Sequence, residues 1–404
     1  MSQKTNHKNG GVKALIGGVL INGTGKPSID DAVVVFDGDR ISAVGSADST
    51  KIPDQAELIN VFGKTIIPGL INCHTHICLD GSMDAIGVLM NRSITENVLI
   101  AAKHADDTVR AGITTIRDLG GWQGVDIGMK KSINACITGG PRMVVSGRLL
   151  CMTGGTAHMI GREVDGPDEV RKAAREQLKA GVDCIKVMAT GGVLTEGSDI
   201  GACQYTVDEM RAAVEEAKKL GKRTAAHGHG TAGIKNAILA GADSIEHGSF
   251  LDDEVIDLML EHGTTLVPTL APGNLILEKG LEAGISSSLF EKAKPAAEAQ
   301  MESFTRAHEA GVQIAAGNDG GTPFNRSDNL AYELACMVNA GMSNSEALLS
   351  ATSAAAELLG KSDEIGTVAV GKYADLVVLD ADPLDDINAV QKVHLVIKNG
   401  HQVC

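Results

Sequence analysis

The sequence predicts an α/β protein, a parallel (β/α)8 TIM barrel carrying a small β-sandwich domain formed by both chain ends. Three observations predict it. A phrase recurs in which an amphipathic helical run ends on a glycine and is followed by a short apolar strand. The strands marked this way are apolar on both faces, as parallel strands covered by helices must be. The two ends of the chain instead alternate polar and apolar residues between turn signals, the pattern of antiparallel sheet.

In chain order, Asp31–Phe36 and Arg40–Val44 read as antiparallel strands joined at Gly38-Asp39, with another turn at Gly23-Thr24-Gly25. The buried strands are Thr65–Cys73, Ile113–Ile116, Arg142–Ser146, Cys184–Met188, Arg223–His227, Asp243–His247, Thr264–Leu270 and Gln313–Gly317. Helices stop before six of them at Gly112, Gly181, Gly221, Gly241, Gly263 and Gly311. A glycine there takes the left-handed conformation that would cost another residue about 1 kcal/mol or more. One helix shows the full grammar: Thr206 and Glu209 form a capping box, and Met210, Ala213, Val214 and Ala217 make an apolar stripe before Gly221. The tail returns to the first style, with strands at Asp375–Leu379 and Val393–Ile397. The division follows: residues 1–66 with 356–404 form the discontinuous sandwich, and 67–355 the barrel. An open doubly wound sheet is the alternative, but no GxGxxG turn follows a first strand.

The chain has 404 residues, 36 basic and 51 acidic side chains, a net charge of −15 and 43% hydrophobic residues. That composition allows a sizeable core and excludes a disordered or fibrous chain. The acid excess, without any basic run, argues against nucleic acid and against an anionic membrane surface. The apolar stretch Ala14–Ile21 is too short and glycine-rich for a signal core or a span, so a cytoplasmic location is expected. Eight scattered cysteines without a CxxC pair read as buried free thiols.

Barrel enzymes keep their chemistry at the C-terminal ends of the strands. His74 and His76 follow the first strand, two apart in extended chain, so both imidazoles can reach one ion. His227, His247 and Asp319 end the fifth, sixth and eighth strands. Lys186 interrupts the apolar run Cys184–Met188, and a buried ammonium without a partner shifts its pKa and usually carries a function. Four histidines, one lysine and one aspartate thus fall at one end of an independently inferred set of strands. Glu246 reads as a brace for its strand end, and Arg117-Asp118 as a structural ion pair.

These residues carry a resemblance. Pro68-Gly69-Leu70-Ile71-Asn72-Cys73-His74-Thr75-His76, Ile245-Glu246-His247-Gly248, Gly317-Asn318-Asp319-Gly320 and the closing segment Gly366–Leu379 are similar to the motifs of the amidohydrolase superfamily. The resemblance implies two divalent metal ions, most often Zn2+. His74, His76 and Asp319 would hold one, His227 and His247 the other, and an N6-carboxylated Lys186 would bridge them. It further implies attack on a C–N amide bond by a metal-bridging hydroxide, with Asp319 as general base and then acid.

Lys186 and the absence of a glutamate after His227-Gly228-His229-Gly230 set the chain apart from the superfamily's deaminases. Lys186–Gly192 and His227–Gly230 look like the branch of prolidases, Xaa-Arg carboxypeptidases and imidazolonepropionase relatives. The expected activity is therefore hydrolysis of a small N-acyl amino acid or dipeptide-like amide. Opening of a cyclic amide, lactam or imidazolone ring is the alternative, and a catalytically inactive barrel scaffold the alternative of another class. His158 and His229 are the expected substrate contacts. The loop 191–204, with Glu196 and Asp199, reads as a lid or a solvated connection. Thr269–Pro272 and Thr322–Arg326 are expected to line the pocket, with Arg326 at the surface or on a carboxylate. The expected partners are a small-molecule amide substrate and further copies of the chain in a homo-oligomer, with neither nucleic acid nor membrane.

Overall fold

The computed structural model describes residues 11–195 and 197–403. Leu70–Thr75, Ile113–Asp118 and Arg142–Val145 pair in parallel, as do Cys184–Met188, Arg223–Gly228, Ser244–His247 and Thr265–Val267. The two sets meet where Asp183 donates its backbone N–H to Val145 at 2.8 Å. An eighth segment closes the ring: Ala315 donates to the Leu266 carbonyl at 3.0 Å, and Cys73 to the Ala316 carbonyl at 2.8 Å. The chain thus forms the barrel that the recurring helix–strand phrase predicts. All six glycines of that phrase hold positive φ, from 62° at Gly221 to 98° at Gly181.

Three elements differ from expectation, each for a local reason. The eighth segment makes isolated bridges at Ile314 and Gly320 instead of a full strand. Side-chain amides replace ladder bonds there: Asn72 Nδ2 donates to Asn318 Oδ1 at 2.7 Å, and the Asn318 N–H to Asn72 Oδ1 at 3.2 Å. The seventh strand stops at Val267, because Thr269 turns left-handed (φ 48°) and Leu270 opens the helix Leu270–Ala283. The first expected strand splits at Gly69, where an added Cβ would meet Thr114 Oγ1 at 2.1 Å. Before it, Thr65–Pro68 pairs antiparallel with Leu376–Leu379; after it, Leu70–Thr75 belongs to the barrel.

The two chain ends do combine into one small β domain, whose eight strands are linked by hydrogen bonds. Lys13–Leu20 pairs with Glu57–Asn60 along its first half and with Thr65–Ile66 along its second, and its pairing with Ile29–Asp37 slips around Gly18, beside the left-handed Gly17 (φ 83°). Lys13–Leu20 thus links strands that continue in different directions, and the domain gathers Leu15, Phe36, Ile66, Leu376 and Val378 into its own core. The hand-over to the barrel falls at Gly69, a little beyond residue 66, and residue 356 lies inside the helix Ser353–Leu358. That helix plugs the barrel floor: Ala355, Ala356 and Leu358 cluster with Ile71, Cys73, Val144, Cys184 and Ala225. Five cysteines are buried free thiols as expected, Cys136 and Cys203 are exposed, and Cys404 lies outside the described residues.

The outer helices are fastened by charge as well as by apolar contact. Glu216 accepts hydrogen bonds from Arg175 at 2.9 Å, Lys219 at 2.7 Å and Arg171 at 3.0 Å, tying Val207–Lys219 to Gly166–Ala180. Arg175 first, then Lys219, pull the Glu216 carboxyl down to about 2. A depressed carboxyl stabilises the fold above its unfolded pKa, and that stability is lost as pH falls toward the folded value. Glu216→Gln should lower Tm by about 2–4 °C at pH 7, and the difference should vanish near pH 2 to 3, measured by thermal melts across pH.

Candidate active site

The C-terminal strand ends bring His74, His76, Lys186, His227, His229, His247 and Asp319 to the wall of one chamber with about 980 Å³ of non-protein space, mouth included. Alternation along the strands explains most of this. Cys184, Lys186 and Met188 are successive even positions of one strand: Cys184 packs into the barrel floor, while Lys186 and Met188 line the chamber above. His247 breaks the alternation, because Glu246 before it also faces inward. Its left-handed backbone (φ 75°) turns two consecutive side chains to the same interior, and Asp319 is held likewise (φ 53°). Such conformations cost a non-glycine residue about 1–3 kcal/mol and persist where the surroundings over-determine them.

Two groups of potential metal ligands result, His74, His76 and Asp319 in one and His227, His229 and His247 in the other. Asp319 Oδ1 lies 3.3 Å from His74 Nε2 and 3.2 Å from His76 Nε2. Donors 2.0–2.1 Å from a tetrahedral ion are separated by about 3.4 Å, so this spacing fits a shared cation. Asp319 Oδ1 and Lys186 Nζ are both buried with no hydrogen-bond partner, which is costly unless something else satisfies them. The second group has its outward nitrogens engaged: His247 Nδ1 with Thr269 Oγ1 at 2.7 Å, and His229 Nδ1 with Ser249 Oγ at 2.7 Å. The donor set therefore fits two divalent cations.

The electrostatics agree. Burial lowers Lys186 to about 8 and His74 and His229 to about 4, and holds His227 and His247 well below the ordinary histidine value, so these imidazoles are neutral and able to ligate a cation. Burial would raise Asp319, but its interactions with His74 and His76 and the nearby Lys186 ammonium outweigh it and keep the carboxylate ionised. Lys186 is within electrostatic reach of His74, His227, His229, His247 and Asp319.

Glu246 and Arg117 have larger parts than their sequence reading suggested. Glu246 Oε2 sits 2.8 Å from His74 Nδ1, and its Oε1 accepts from Arg117 at 2.8 Å and from Ser244 Oγ at 2.5 Å. Arg117 thus pairs with Glu246 and not with Asp118, which accepts the N–H of Ile77 at 2.6 Å and of Gly120 at 3.3 Å. The carboxylate fixes the His74 tautomer with Nε2 toward Asp319. The clue was available in the sequence, since Glu246 interrupts an apolar strand as Lys186 does. Glu333 left no such sign: from a distant helix it accepts the N–H groups of Leu270 and Ala271 at 2.8 and 2.7 Å, and burial raises it to about 8.

His158 is not brought to the chamber wall. Its Nδ1 is 3.1 Å from the Gly155 carbonyl, and its neighbours Thr156, Ala157 and Ile160 line the space instead. The reason is the turn at Ala157 (φ 57°), which directs the following side chain away. Thr269, Pro272, Thr322 and Pro323 do line it, while Arg326 pairs with Asp107 at 2.7 Å and Asp328 at 3.0 Å outside. Gly192–Thr195 of the loop 191–204 form part of the wall; Glu196 lies outside the described residues.

A barrel whose strand ends converge histidines and a carboxylate on a buried lysine defines a class, hydrolases that work with bound cations. The chain belongs to the amidohydrolase family, whose model matches residues 65–403, and is a hydrolase of carbon–nitrogen bonds. It is 31% identical to ochratoxinase of Aspergillus niger, covering 94% of this chain and 84% of that one. It is 26% identical to imidazolonepropionase of Fusobacterium nucleatum subsp. nucleatum, over 87% and 86% of the two chains. A Xaa-Pro dipeptidase solved with methionine in its active site superposes with a TM-score of 0.90 at 33% identity, over 97% of this chain and 99% of that one.

Proposed function

We propose that the chain hydrolyses the C–N bond of a small amide, with His74, His76 and Asp319 holding one cation, most suitably zinc, and His227 and His247 the second. The donor spacing of 3.2 and 3.3 Å around Asp319 Oδ1 carries this reading. Lys186 in its neutral form would add to carbon dioxide and lose one proton, giving a carbamate whose single negative charge is shared by two oxygens available to the cations. When bound, the two cations supply an acidified water and polarise the substrate carbonyl. Asp319 accepts a proton from the attacking water and returns it to the leaving nitrogen. His229, held by the Ser249 hydroxyl at Nδ1, offers an Nε2–H to the carbonyl oxygen as negative charge develops on it.

Screening the zinc-loaded protein against N-acyl amino acids, dipeptides and small lactams tests the reading. Release of an acid and an amine is expected; release of ammonia would overturn it. Removal of the metal with a chelator should abolish turnover, with recovery on adding zinc and bicarbonate. His229→Ala should lower kcat about 10²–10³-fold at unchanged metal content, and near-normal kinetics would remove His229 from the mechanism. No helix among the described residues is long and apolar enough to cross a membrane.

A further inference from the structure

We infer that Glu333 is a positioning residue for His247: it takes over the capping of the helix Leu270–Ala283 and so leaves the Thr269 hydroxyl free to meet the His247 ring. The effect on the second cation rests on the two-cation reading; the seating of His247 does not.

Thr269 stands immediately before that helix, where a threonine ordinarily accepts an N–H of the first turn on its own hydroxyl. Thr206 does so elsewhere in this chain: its backbone is extended (φ −74°, ψ 164°), and its Oγ1 accepts the Glu209 N–H at 3.3 Å. Thr269 makes no such bond among the described residues. Its backbone is left-handed (φ 48°, ψ 52°), a conformation that a β-branched residue adopts only when its surroundings impose it. Its Oγ1 lies instead 2.7 Å from His247 Nδ1.

The donors of the first turn are met from another helix. Glu333, fully buried on Leu330–Asn339, accepts the Leu270 N–H on Oε1 at 2.8 Å and the Ala271 N–H on Oε2 at 2.7 Å. Burying a carboxylate for this duty is costly when the adjoining threonine carries a hydroxyl suited to it. What the exchange releases is that hydroxyl. With a cation on Nε2, His247 keeps its proton on Nδ1, and Thr269 Oγ1 is the acceptor that orients the ring. Gln300 closes the outside of the corner, its Nε2 donating to the His247 carbonyl at 3.2 Å and to the Pro268 carbonyl.

Two variants of the full-length protein test this. Glu333→Gln keeps the shape but turns an NH2 toward one of the two N–H groups; Thr269→Val keeps the branched shape and removes the hydroxyl. In chelator competition with zinc, each should hold one ion as the parent does and the other about 10–100-fold more weakly. The double variant should bind no more weakly than either single one, because both changes act on the same ring nitrogen. Losses that multiply in the double variant, equal weakening of both ions, or parental affinity for both in Glu333→Gln overturns the inference. A crystal structure of zinc-free Glu333→Gln decides without metal: Thr269 is expected in the extended region with its hydroxyl on its own helix. A Thr269–His247 contact still within hydrogen-bond distance overturns the inference. A parent that binds fewer than two zinc ions brings down the two-cation reading, and that crystal structure then decides on Glu333 by itself. If Glu333→Gln does not fold, Glu333→Asp, which withdraws the carboxylate by one methylene, is read in the same ways.

Discussion

Lys186→Met should yield a protein that is inactive and, without metal, more stable than the parent. Burial depresses the Lys186 ammonium from its ordinary 10.5 to about 8, and no hydrogen bond compensates it. At about 1.4 kcal/mol per pKa unit, the metal-free fold carries roughly 3 kcal/mol of cost at neutral pH. Methionine fills a similar volume without a charge. Because the unfolded chain binds the proton more tightly, metal-free wild type should gain stability as pH rises from about 8 toward 10.5, and the variant should not. Activity should fall about 10³-fold or more, since the proposed carbamate bridge between the two ligand groups could not form. Denaturant melts of chelated protein at pH 7 and pH 10, with turnover after zinc loading, check both halves. A destabilised variant would mean that Lys186 is a structural cation.

The second large effect is expected at Glu246. Glu246→Gln leaves the Arg117 guanidinium, fully buried, facing a neutral amide, and breaking a buried pair from one side costs about 3–5 kcal/mol. The same change removes the anchor of His74 Nδ1, so zinc affinity should weaken about 10–100-fold. Arg117's charge, and next the hydrogen bond to His74, hold Glu246 at about 2 despite its burial. The pair therefore stabilises the fold above about pH 4.5 and fades as pH falls toward 2. A joint Arg117→Met, Glu246→Leu replacement should recover most of the stability but not the zinc affinity. Chelator competition and denaturant melts separate the two, and parallel recovery of both would show that Glu246 acts on packing alone.

Much of this was legible in the sequence because the barrel writes its period into it. Six glycines mark helix ends, and Lys186, His227 and His247 then fall at strand positions that share one end. What escaped were features with no period. Gly69 splits one apolar run between two sheets, and nothing in Thr65–Cys73 marks the break apart from that glycine. The pair of helices Leu270–Ala283 and Ser287–Glu309 replaces the single helix of the repeating unit, which the sequence marks only by its stop at Gly311. His158 looked equivalent to His229, because a sequence does not show that Ala157 turns left-handed.

The seam at Gly69 also sets an order of assembly. Thr65–Pro68, whose strand runs directly into the one bearing His74 and His76, takes its antiparallel partner from Leu376–Leu379, some three hundred residues later in synthesis. Until those residues leave the ribosome, the first ligand strand lacks the edge that seats it, and contacts of such long sequence separation form slowly. A nascent chain would therefore acquire its helical layers well before the proposed metal site could close, so that capture of a cation there would be a late signature of completed translation and folding.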